Sequence, residues 1–201
     1  MSATSNMQDV FGFADRSRWV PGAVFSVDGR HRYALWRPIQ HRVRDVVALD
    51  DFARVLFLML NPSTADEFAN DPTVARCVDY ADRWGFGGLW VANLFSWRGT
   101  DPMSLVHALE AGHDPSGGEA NEGAIASLAN DAKLVICAWG NGPGRRVFER
   151  KLEKRARAVV AKLRLAGVPT FCLGEPTGKG HPNHPLYLRR DIERRPFAYA
   201  V

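Results

Sequence analysis

Arg54-Val55-Leu56-Phe57-Leu58-Met59-Leu60 runs directly into Asn61-Pro62-Ser63-Thr64, and this stretch decides the fold. The apolar run shows no period of two and no helical stripe. It is far shorter than the roughly 20 residues of a membrane-spanning helix. It reads as a strand buried on both faces, the signature of a parallel strand inside an α/β sheet. Asn61-Pro62 stops it with a turn.

Working outward, the same grammar recurs. Asp71-Pro72 opens a helix, with Asp as N-cap and Pro at the first helical position. Val74, Cys77, Val78, Ala81 and Trp84 follow at helical spacing, and Gly85 caps the end. Leu89–Phe95 predicts a second buried strand. Asp101-Pro102 starts a short helix to about Leu109, and 119–130 reads as another helix. Leu134–Trp139 is a third strand, ending in Gly140-Asn141-Gly142-Pro143-Gly144. A long helix is expected from Arg145 to Ala166, then a fourth strand over Val168–Leu173. Leu186–Glu193 predicts a short closing helix. Upstream, Ala23–Val27 and Arg32–Trp36 flank Asp28-Gly29, a hairpin signal.

Four strand–helix units after a hairpin imply a three-layer α/β/α fold. Its mainly parallel central sheet has about four core strands plus the N-terminal hairpin. Residues 1–20 read as a flexible arm and 21–201 as a single domain. The 201 residues are 46% hydrophobic and 24% charged, which excludes collagen, coiled coil and long disordered tails. The start lacks a basic segment and an apolar segment, so no secretion signal is read. Cys77, Cys137 and Cys172 are widely spaced with no CxxC pair. They read as reduced thiols, and the expected location is cytoplasmic. Neither a four-cysteine cluster nor a metal site is expected, because the HxxH of His181 and His184 lacks a third ligand. No G-x-G-x-x-G follows a strand and no Walker A lysine pattern occurs, so no cofactor is expected.

The net charge of +4 hides an asymmetry. Residues 1–143 hold 12 basic and 17 acidic side chains, and residues 144–201 hold 14 and 5. The basic third suits phosphate or nucleic acid, or is simply a solvated helix face.

In open α/β sheets, ligands bind beyond the carboxyl ends of the strands. The residues there are polar after every core strand. Asn61, Ser63, Thr64 and Asp71 follow the first, and Asn93 and Arg98 the second. Trp139, Asn141 and Arg145 follow the third, and Lys179, His181 and His184 the fourth. Asn61 orients a water or shapes a turn. Asp71 is a general base or a helix cap. Asn93, near the end of an apolar strand, needs partners for its amide. The histidines carry protons near neutral pH. Ser63, Thr64, Asn93, Arg98, Trp139, Asn141, Arg145 and Lys179 are candidate substrate contacts.

Taken together, Leu60–Asp66, Asp71-Pro72-Thr73, Asn93-Leu94-Phe95, Ala138-Trp139-Gly140 and His184-Pro185-Leu186-Tyr187 resemble domain-of-unknown-function family 1643. More distantly, the chain resembles the uracil-DNA glycosylase superfamily. Asn61-Pro62 is similar to that family's water-positioning motif, and His181-Pro182-Asn183 or His184-Pro185-Leu186 to its His-Pro-Ser motif, without the Ser. Asn93 stands where those enzymes read a pyrimidine edge. The resemblance implies an N-glycosidic-bond hydrolase acting on a base in nucleic acid or a nucleoside. The alternative is a non-catalytic nucleotide or nucleic-acid binding module.

Overall fold

A computed structural model of the chain describes residues 20–43, 53–63 and 69–199. The arm expected over 1–20 lies outside them except for its last residue, and so does Thr64. Strands β1 (Gly22–Phe25) and β2 (Arg32–Pro38) precede a one-turn helix α1 (Gln40–Val43). Then come β3 (Arg54–Met59), α2 (Pro72–Arg83), β4 (Gly88–Asn93), α3 (Met103–Glu110), α4 (Gly118–Asp131) and β5 (Leu134–Cys137). The chain continues through α5 (Arg146–Leu165), β6 (Thr170–Leu173), a 3-10 turn (Pro185–Tyr187) and β7 (Arg194–Pro196).

The strands form one seven-stranded sheet in the order β1-β2-β4-β3-β5-β6-β7. β4, β3, β5 and β6 are the parallel core. The edges are antiparallel, β2 on β4 and β7 on β6. Val55 through Leu58 have no exposed surface, because helices cover both faces. Leu56, Leu58 and Leu60 point into the layer holding Leu105 of α3, Ile125 of α4 and Phe148 of α5. Val55, Phe57 and Met59 alternate to the other side, against Val74, Cys77 and Tyr80 of α2.

The helix starts follow local chemistry. Asp71 caps α2, its Oδ1 accepting the Val74 N–H at 2.7 Å. The Asp101 Oδ1 accepts the Met103 N–H at 2.8 Å and plays the same part for α3.

The closing helix expected over Leu186–Glu193 does not form. Pro185 starts a single 3-10 turn, and the chain then extends into β7. No apolar stripe follows Leu188 to hold a helix on the sheet. Arg194, Arg195 and Pro196 are exposed and join β6 through backbone pairing, with Arg195 on Glu175 and Arg194 over the Trp84 ring, the charge and proline typical of a protected edge strand.

β3 is the pivot of the topology. The chain leaves it to form β4 on one side, then crosses back to form β5 on the other. Such a reversal opens a crevice at the strand carboxyl ends.

Candidate functional site

That crevice holds a cavity of about 330 Å³. Its walls come from the ends of the three central strands: Met59–Asn61 after β3, Asn93 at the end of β4, and Trp139–Gly142 after β5. Ser63, Asp71 and Thr73 close one side at the start of α2. His184 and Tyr187 close another.

Asn93 is 1% exposed, and its side-chain Oδ1 has no hydrogen-bond partner. A buried amide oxygen without a donor costs on the order of 1–3 kcal/mol. Its backbone carbonyl is held by the Asn121 Nδ2 of α4 at 2.9 Å. The side chain is thus fixed at its root, with its Oδ1 buried and unpartnered.

Asn61 is oriented in the opposite sense. Its Nδ2 donates to the Gly99 carbonyl at 2.9 Å and to the Pro62 carbonyl at 3.3 Å. With the amide hydrogens committed, the Oδ1 is left as an acceptor.

Asp71 is the carboxylate in the cavity wall among the described residues. Its Oδ2 accepts from Ser63 Oγ while its Oδ1 caps α2. Each oxygen keeps a further lone pair.

His184 caps the 3-10 turn, its Nδ1 accepting the Leu186 N–H at 3.4 Å. The neutral ring therefore carries its proton on Nε2. Burial lowers its pKa, with the nearby charge of Asp71 acting the other way. Gly140 makes room for this residue: with φ of +68°, its missing Cβ would lie 3.4 Å from the His184 Cβ.

Arg32 also lines the cavity, 2% exposed. Burial lowers its pKa to about 10, opposed by Asp71, so it stays a cation at neutral pH. Sequence reasoning missed it. The visible signal is an arginine directly before the apolar and aromatic run Tyr33-Ala34-Leu35-Trp36.

The cavity thus gathers Asn61, Ser63, Asp71, Asn93, Trp139, Asn141 and His184 from the sequence candidates. It does not gather the other four described ones. Arg98 donates to the Gly29 carbonyl at 3.0 Å and lies over the Phe25 ring. Arg145 is exposed at the start of α5. Lys179 pairs with Glu149, and both line a separate groove with His181. There the His181 Nδ1 meets Tyr199 Oη at 2.9 Å and takes a 3.5 Å bond from Trp139 Nε1. Trp139 thus stands between cavity and groove. Among the described residues, no group of three or more His, Cys, Asp or Glu side chains is placed to hold a metal. Nor is any helix there long and apolar enough to cross a membrane.

The model of the family described as "Protein of unknown function (DUF1643)" matches residues 32–186. The chain belongs to this family. The matched segment of the DUF1643 chain begins at Arg32 and ends at Leu186, so it contains every described cavity residue named above except Tyr187. No curated protein and no solved structure matches the DUF1643 chain.

Proposed function

We propose that the cavity binds a nucleobase and supports hydrolysis of its N-glycosidic bond. The observation that carries this reading is the buried Asn93 amide, which belongs to the wall of a small cavity and whose Oδ1 has no hydrogen-bond partner. An amide offers one acceptor and one donor group. That pair complements the cyclic –NH–C(=O)– edge of an oxo-base. A cavity at the small end of the usual range for ligand sites suits one heterocycle.

The remaining residues have matching parts. Water attacks the sugar anomeric carbon, and the C–N bond breaks with its electron pair leaving on the base. Asn61 Oδ1 holds the water, and Asp71 accepts the proton that the water gives up. His184, neutral and protonated on Nε2, donates a hydrogen bond to the departing base anion. The resemblance to uracil-DNA glycosylases supports this reading through Asn61, Asn93 and His184 alone.

The test is base release from oligonucleotides carrying uracil, hypoxanthine or mismatched thymine, and from the corresponding nucleosides, followed by chromatography. The expected result is free base from one of these substrates, lost in Asn93→Ala and Asn61→Ala. No free base across the panel from folded protein would falsify the hydrolase. One observation favours a second reading: both Asp71 oxygens already serve as cap and Ser63 acceptor. A binding module of this kind holds a nucleoside or nucleotide saturably and releases no base.

A further inference from the structure

We infer that the first half of α5 is a docking ridge for the phosphates of a nucleic-acid strand. Arg146, Arg150 and Lys154 stand four residues apart, with Lys151 beside them and Arg145 just before. All five are exposed. Arg146, Arg150 and Lys154 lie opposite the buried stripe of Phe148, Leu152 and Ala156. At 1.5 Å per residue the steps along the ridge are about 6 Å and its length is about 12 Å.

Of the four other cations on the helix, three are paired with carboxylates and Arg164, in the last turn, is not. Arg155 and Lys162 pair with Glu122, and Arg157 pairs with Glu153. None of the five ridge cations lies within ion-pair distance of a carboxylate among the described residues. The position of Arg145 and Arg146 also opposes helix stability. The first turn of a helix carries the positive end of its dipole, where cations are unfavourable. Glu149 is the acid of the first turn, and Lys179 takes it. A charge pattern that costs local stability marks a surface kept for binding.

The ridge also starts at the cavity. Trp139–Gly142 form its wall, and only Pro143 and Gly144 separate them from Arg145. Charge spread over this length needs several anions in a row, which a strand supplies and a single nucleotide does not. The choice of a strand over an anionic membrane rests on the nucleobase reading of the cavity. The ridge itself does not depend on cleavage there.

The experiment is fluorescence anisotropy with a fluorescein-labelled mixed-sequence single-stranded DNA. Wild-type affinity is expected to fall roughly 20- to 100-fold between about 50 and 200 mM salt, as for about three to five neutralised phosphates. Arg146→Glu/Arg150→Glu/Lys154→Glu should lose at least tenfold in affinity and about two units of salt slope. A fully abasic strand of the same length, which offers the cavity no base, should bind with a similar salt dependence, which separates the ridge from the cavity. A charge-matched control, Arg30→Glu/Arg83→Glu/Arg189→Glu, should lose much less than the ridge variant. Equal losses in the two triple variants, no binding at low salt, or binding to phosphatidylserine vesicles in place of DNA would each overturn the inference.

Discussion

The Asn121 side chain, buried in α4, donates to the backbone carbonyl of Asn93 at 2.9 Å. It also reaches the carbonyls of Ser116 at 2.9 Å and Leu94 at 3.4 Å. One amide thus ties the end of β4 to the loop before α4. Asn121→Ala should cost about 1–3 kcal/mol, because the buried Asn93 carbonyl loses its side-chain donor, while the Leu94 and Ser116 carbonyls keep Arg155 and Ser96. Urea unfolding measures it. A midpoint equal to wild type would show that water replaces the amide.

Gly140 separates the end of β5 from His184. An alanine there must hold φ at +68° with its Cβ 3.4 Å from that of His184. The left-handed conformation alone costs roughly 1–2 kcal/mol. Gly140→Ala should therefore lower stability by that amount and weaken cavity ligands further by displacing the ring. Gly144→Ala carries the same backbone cost with open space around its Cβ. Equal ligand affinity in the two variants would refute the displacement.

Burial lowers the pKa of His31, His181 and His184 from the ordinary 6.5. Below pH 6.5 the unfolded chain takes up protons that the folded sites refuse. Stability is therefore fully present above 6.5 and is lost as the pH falls toward the folded values. Urea midpoints between about pH 7.5 and 5.5 should decline with acidification. The slope should shrink in His181→Gln/His184→Gln, and an unchanged slope would remove these two groups from the account.

Cys77, Cys137 and Cys172 are buried. Burial raises the thiol pKa strongly at Cys77 and Cys137, and to about 11 at Cys172. The thiolate is the reactive form. Native protein near pH 8 should resist iodoacetamide, and the denatured chain should take three adducts by mass spectrometry. Fast labelling of any one in the native state would contradict its placement.

Much of this architecture was legible in local chemistry. Val55–Leu60 announces a strand covered on both faces, and Asp71-Pro72 announces a helix, because each signal is contained within a few residues. Asn61, Asn93, Asn141 and His184 could be placed at one sheet edge because the strand carboxyl ends meet there. What failed depended on long-range pairing. The direction of β2 is set by β4, more than fifty residues away in the chain, and that direction carries Arg32 to the cavity. His181 and His184 share one loop, and only its path past Trp139 sends one to the groove and the other to the cavity. The Leu186–Glu193 segment misled because Pro185 is a good helix start while no buried stripe follows.

The walls of the cavity extend from Arg32 to Tyr187, with the antiparallel β2 delivering the first and the segment after β6 the last. No contiguous fragment short of that span can assemble it. A ligand of this cavity would bind the completed fold and no partly folded form. At about 100 times its dissociation constant it would add about 2.7 kcal/mol against global unfolding. Occupancy of the cavity is therefore a gauge of whole-chain folding, and a thermal-shift screen of small heterocycles would use the entire domain as its sensor.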